Sequence, residues 1–89
     1  MKYLPLHQSY LDIKTKYPGV LMLFHTGNFY QAIGNDAINL NKELNTILSE
    51  RQISATEKTT FSGFPNHAKE EYLMKLIKAG YRVGFVDNI

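Results

Sequence analysis

Three groups of side chains in this 89-residue chain are candidates for chemistry: the histidines, a run of basic residues near the C-terminal end, and the tripeptide Phe29-Tyr30-Gln31. His7, His25 and His67 lie far apart, and none has a second ligand at metal spacing. No Ser-His-Asp or Cys-His constellation stands out. The segment His25-Thr26-Gly27-Asn28 is too short and too poor in glycine for a phosphate loop. The eight acidic residues are scattered rather than clustered as a nuclease-like centre would need. No enzymatic activity and no metal site are therefore expected. Lys69, Lys75, Lys78 and Arg82 form a loose basic cluster that Glu70 and Glu71 interrupt. That pattern fits a solvated helix face better than a phosphate track.

The tripeptide is more informative. In a strand its side chains alternate, so Phe29 and Gln31 share one face and Tyr30 points to the other. One ring then enters the core. The second lies beside an amide near a turn, where an apolar ring next to a hydrogen-bonding group can wedge into a base stack and touch a base edge. The plain alternative is that both rings are core or scattered surface aromatics.

The elements that must position this tripeptide follow from periodicity. Residues 5–17 predict a helix, with Leu6, Tyr10, Ile13 and Tyr17 on one stripe widened by Leu11, Pro5 in the first turn and Pro18-Gly19 at the end. Residues 20–25, Val-Leu-Met-Leu-Phe-His, read as a strand buried on both faces. Thr26-Gly27-Asn28 is turn chemistry, so this strand and Phe29–Ile33 pair as a hairpin. Gly34-Asn35-Asp36 breaks the second strand, and Asn35 or Asp36 caps a helix over 36–45 with Ala37, Leu40 and Leu44 on one face. Residues 46–49 read as a short strand, 50–59 as an exposed polar loop, and 60–64 as a short extended piece. A third helix starts at Pro65-Asn66, carries Tyr72, Leu73, Leu76 and Ile77, and stops at Gly80. Residues 81–86 form the last strand. Interleaved strands and helices predict one small α/β domain over 1–89, a mixed sheet flanked by about three helices. The strand order does not follow from this pattern.

Composition is ordinary for such a domain, with 44% hydrophobic and 20% charged residues. The absence of cysteine excludes disulfides and thiolate metal sites and fits a reducing cytoplasmic setting. No apolar run reaches membrane-spanning length, and the N-terminus lacks the pattern of a signal peptide. A net charge of +2 permits a polyanionic partner without announcing one.

Two stretches in order, Gly27-Asn28-Phe29-Tyr30-Gln31-Ala32-Ile33-Gly34-Asn35-Asp36-Ala37 and the run from Phe61 to Ile89, resemble the N-terminal mismatch-recognition domain of the MutS family. That family typically reads G-D-F-Y-E, a D-A helix, a G-I-P-Y-H-A turn, a helix with Y-L-x-K-L, and V-A-I-C-E-Q. The likeness extends from about Leu4 to Ile89. It implies a small mixed-sheet α/β module whose partner is double-stranded DNA, especially mismatched or kinkable. Phe29 matches the ring that stacks into the duplex, and Gln31 the acid that contacts the displaced base. Arg51 aligns with a basic residue near DNA, and Gly63-Phe64-Pro65 with a loop beside the wedge. The resemblance implies no cofactor in this domain, since ATP and magnesium belong to later domains of the longer family proteins.

The sequence departs from the pattern at the motif itself. The acid is Gln31, the preceding Asp is Asn28, the usual Arg is His25, and Cys-Glu-Gln is Val86-Asp87-Asn88. A longer parent chain is implied, either a repair protein or a multi-domain protein of a bacterial mobile element. The rival expectation is a scaffold or protein-interaction domain that kept the fold and lost mismatch recognition. Exposure separates the two readings: Phe29 outside with Tyr30 inside favours DNA, and a buried Phe29 favours the scaffold.

Overall fold

A computed structural model describes residues 5–87. Its elements are α1 (Pro5–Lys16), β1 (Leu21–Thr26), β2 (Phe29–Ile33), α2 (Asn35–Leu44), β3 (Leu48–Gln52), β4 (Lys58–Pro65), a 3-10 turn (Asn66–Ala68), α3 (Lys69–Lys78) and β5 (Val83–Val86). The strands form one mixed sheet in the order β3-β4-β2-β1-β5. Only β1 and β5 run parallel, and the other neighbours are antiparallel. The expected α/β class with a mixed sheet and three flanking helices is what the chain adopts. Among the described residues no helix is long and apolar enough to cross a membrane.

Period-two alternation divides the core into two layers. Leu21, Leu23, Tyr30, Ala32 and Phe64 face α2 and α3, where they meet Ala37, Leu40 and Leu76. Met22, Phe24, Ile33 and Phe61 face the other way and pack beneath Tyr10 of α1, with Leu6, Leu11 and Ile13 beside them. Both faces of β1 are thus covered, which is why residues 21–24 are apolar without a break.

The hairpin between β1 and β2 has a two-residue loop, since Thr26 pairs with Phe29. Gly27 has φ +60°, whereas Asn28 stays outside the left-handed region. Glycine first and an ordinary residue second is the type II′ arrangement, whose twist matches the flanking strands. The Asn66 N–H donates to the Asn28 carbonyl at 2.8 Å, tying the loop to the end of β4.

Asp36 corrects an expectation. The cap position of α2 is Gly34, and no side chain caps the helix. The Asp36 carboxylate is buried and turned toward the sheet and α1 instead. It accepts from Lys14 Nζ at 2.9 and 3.0 Å, from Tyr10 Oη at 3.2 Å and from the Met22 N–H at 3.2 Å. The β1–β2 ladder runs only from Phe24↔Gln31 to Thr26↔Phe29. Met22 lies beyond it, so the carboxylate takes a buried N–H that would otherwise lack this partner. Lys14 also donates to the Val20 carbonyl. Burial, then the neighbouring Asp36 charge and hydrogen bond, raises the Tyr10 hydroxyl far above its ordinary value and keeps it a donor.

Three boundaries also differ from expectation. Tyr17 lies past the end of α1 and is exposed, because Pro18-Gly19 turns the chain before it can join the stripe. Ile77 is likewise exposed, since Leu76 takes the core-facing position of α3. Half of the polar stretch 50–59 is strand rather than loop, with β3 reaching Gln52 and β4 starting at Lys58. All five side chains of β3 are exposed, so no hydrophobic alternation marks it; its pairing with β4 defines it. The turn between them is closed by Ser54 Oγ, which accepts from the Thr56 and Glu57 N–H groups, and is anchored by buried Ile53.

Replacing Asp36 with alanine removes four hydrogen bonds and strands the Met22 N–H. The expected loss is about 3 kcal/mol. At about 4–8 °C per kcal/mol for a domain this size, calorimetry should show the midpoint falling by at least about 10 °C. A second test concerns His7, which is buried on α1. Burial lowers its pKa below the ordinary 6.5, with Glu57 opposing the shift. Below that value the unfolded chain binds a proton that the folded one resists, so stability present at neutral pH is lost on acidification. Urea midpoints should decline from pH 7.5 to 5.5, and His7→Phe should flatten that decline.

Candidate nucleic-acid interface

Coverage of the α1 side of the sheet is incomplete. Helix α1 packs over Met22, Phe24, Ile33 and Phe61, and the face continues beyond them toward the hairpin loop. On that open part β2 presents Phe29 and Gln31, and β4 presents Gly63 and Pro65 opposite them. Phe29 is 49% exposed and Tyr30 only 5%. The two adjacent rings have opposite fates, as strand alternation requires. Tyr30 stacks on His25 at 4.9 Å, meets Phe85 edge-on at 5.0 Å, and donates its hydroxyl to Asp87 at 3.3 Å. Phe29 stands between Thr26 of β1 and Pro65 of β4, its partners in the two ladders.

Gln31 is tied at both ends of its amide. Its Oε1 accepts from Arg51 Nη1 and Nη2, both at 3.1 Å, and its Nε2 donates to Thr26 Oγ1 at 3.2 Å. Partner chemistry sets this orientation, because a guanidinium can only donate. Turned the other way, the amide would keep a single 3.4 Å contact with Nη1. Arg51 comes from edge strand β3 and crosses β4 to reach the amide. It lies over the Phe61 ring, 5.1 Å from the centroid. Gly63 lets β4 come close to β2 at this point: a β-carbon there would run into the Tyr30 carbonyl oxygen and stand 3.3 Å from Gln31 Cγ. The result is a shallow concavity of about 240 Å³ floored by Phe61 and rimmed by Phe29, Gln31, Ile47, Ser49 and Arg51.

The fold thus brings Phe29, Gln31, Arg51, Gly63 and Pro65 onto one continuous surface. Phe64, expected beside them, is 1% exposed and faces the α2–α3 core, where it packs edge-on against Tyr72 at 4.8 Å. Alternation along β4 puts it on the reverse side from Gly63 and Pro65, so its ring supports the surface from behind. The basic cluster is elsewhere as well. Lys69 lies over the Phe85 and Tyr30 rings, 4.4 and 5.5 Å from their centroids. Lys75 lies over Tyr72 and 3.9 Å from Glu71. Both are tied to α3 and the reverse face. Asn88 of the departing C-terminal motif lies outside the described residues.

Three residues of the surface were not singled out in the sequence. Thr26 was read only as turn chemistry, Ser49 as part of a short strand, and Ile47, now 84% exposed, as part of the same strand. The missing information was the β3–β4 register, which sets Ser49 against Phe61 and Arg51 against Thr59.

Comparison with known proteins agrees with this architecture. The family profile described as MutS domain I matches residues 4–89. The DNA mismatch repair protein MutS of Christiangramia forsetii is 43% identical over 88 residues, which is 99% of this chain and 10% of that protein. The corresponding protein of Flavobacterium psychrophilum is 40% identical over 89 residues, 100% of this chain and 10% of its own. That of Chlorobium phaeobacteroides is 38% identical over 85 residues, 96% and 10%. The chain therefore spans about a tenth of the length of these relatives. With every described element inside the matched span, from α1 through β5, the chain belongs to the MutS domain I family.

Proposed function

We propose that this domain is a non-enzymatic recognition module that binds double-stranded DNA at mismatched or otherwise kinkable steps, with Phe29 as the wedge and Gln31 as the base-edge contact. The observation that carries the reading is the exposure of Phe29 on an open face beside Gln31 and Arg51, while Tyr30 next to it is core. The relatives are named as DNA mismatch repair proteins, which supplies the class of target. Arg51 adds a positive charge beside the wedge, and Gly63 with Pro65 lets a backbone approach closely there. Steps that require ATP and magnesium belong to other parts of a longer cytoplasmic protein.

Magnitudes explain why such a wedge would be selective. Unstacking one base step costs a few kcal/mol. Stacking a base on an aromatic side chain returns roughly 1–3 kcal/mol. The two nearly cancel, so insertion is favourable only where unstacking is cheap, as at a mismatch or a flexible pyrimidine–purine step. The amide at position 31 shifts the balance toward tolerance. A carboxylate there would meet repulsion from phosphates and an acceptor-rich minor groove, which helps to reject ordinary duplex. A neutral amide carries no such charge penalty.

Fluorescence anisotropy on matched and mismatched duplexes of one sequence tests this reading. Phe29→Ala should reduce mismatch affinity by about tenfold, the loss of one stacking contact, while the unfolding free energy moves by no more than about 0.5 kcal/mol. An unfolded Phe29→Ala protein, or unchanged mismatch affinity, would remove the wedge. Gln31→Glu should weaken binding to matched DNA more than to mismatched DNA and so raise their ratio. A ratio that stays level or drops would show that the amide is not what relaxes discrimination.

A further inference from the structure

Arg51 does more at this surface than add a charge. A glutamine side chain has two acceptor lone pairs and two donor hydrogens. At Gln31 the side-chain oxygen is occupied by both terminal nitrogens of Arg51, which converge on it at 3.1 Å each. One hydrogen is used by Thr26 Oγ1. What remains for a ligand is one N–H. We infer that Arg51 is a positioning residue that makes Gln31 a donor-only probe, so that the surface accepts base edges presenting an acceptor and rejects those presenting an amino group.

This rests on the proposed function and specifies its chemistry. In the minor groove A N3 and T O2 are acceptors, whereas guanine adds the N2 amino donor. An amide free to rotate could offer its oxygen to that amino group. An amide locked by Arg51 cannot, and faces it donor against donor. The lock has two supports: both arms of the planar guanidinium fork converge on the amide oxygen, and the Phe61 ring lies beneath Arg51, 5.1 Å from its guanidinium carbon. A lysine at this position keeps the charge but has a single point donor and no planar fork.

The test compares wild type, Arg51→Met and Arg51→Lys on two duplexes that differ only by inosine in place of guanine in a wobble pair with thymine. Inosine lacks the minor-groove amino group. It also loosens the pair, but equally for all three proteins, so the readout is the difference between proteins in the inosine-to-guanine affinity ratio. Wild type should exceed Arg51→Met by roughly threefold to tenfold in that ratio, the value of one hydrogen bond gained or frustrated. Arg51→Lys should recover overall affinity relative to Arg51→Met without recovering the ratio. Equal ratios in all three proteins would overturn the inference while leaving the wedge intact, and Phe29→Ala on the same duplexes reports on the wedge separately. In the free protein, NMR exchange of the Gln31 side-chain amide should show one slowed and one fast hydrogen, with the slow one lost in Arg51→Met. Two equally fast hydrogens in the wild type would overturn the inference without reference to DNA. Failure of the wild type to bind either duplex would remove both the reading and the inference.

Discussion

The register of β2 is the constraint on which the rest depends. A slip of one residue would exchange Phe29 with Tyr30, bury the wrong ring and send Gln31 into the α2–α3 core. Three independent devices prevent it. The two-residue loop at Gly27-Asn28 fixes the pairing with β1. The Gln31↔Gly63 pair fixes the pairing with β4, because only a residue without a side chain tolerates that approach. Tyr30 itself fills a pocket of aromatic rings from His25, Phe64 and Phe85 and ends on Asp87. Local turn geometry, cross-strand packing and a long-range hydrogen bond all specify the same register, which is the consistency that gives a single folded state.

Asp36 plays the corresponding part for the layer above the sheet. It is a buried carboxylate at the start of α2 whose partners lie on α1 and β1. Helix α1 also meets the sheet through the apolar side chains of Leu6, Leu11 and Ile13 and through the Lys14 bond to the Val20 carbonyl. The carboxylate gives that contact a direction, since only one placement of α1 brings both Tyr10 and Lys14 to it. The same placement sets how far α1 reaches over the sheet, and hence where the open surface begins. The buried carboxylate of Asp36 and the exposure of Phe29 are linked in this way through the extent of one helix.

Much of this was legible in the sequence, and the failures have physical causes. The hairpin, the alternation of Phe29, Tyr30 and Gln31, and the three helices follow from turn chemistry and periodicity. The motif resemblance added the expectation of a recognition surface. Periodicity points to a short strand at 46–49 but misses the extent of β3 to Gln52, because this edge strand has no covered side and so no hydrophobic signature. Ser49 reaches the surface through the β3–β4 ladder, which periodicity does not reveal, whereas Arg51 is expected there from the motif resemblance alone. Asp36 was read as a cap because its position before an apolar stripe is what a cap looks like locally. A partner 26 residues away outweighed the local preference. Phe64 was carried along with its neighbours Gly63 and Pro65, although alternation applied to β4 would have separated them.

The fixed position of Phe29 between two ladders also has a thermodynamic side. Its backbone is immobilised by folding, and an aromatic side chain has only two torsions left to lose. Engagement of the ring with a partner therefore draws little on the conformational entropy of the protein. The ordering penalty that accompanies coupled folding and binding is absent here. On the proposed reading, differences in free energy registered through this ring would come mainly from the partner's own resistance to being opened, so the hairpin would work as a gauge of mechanical stiffness.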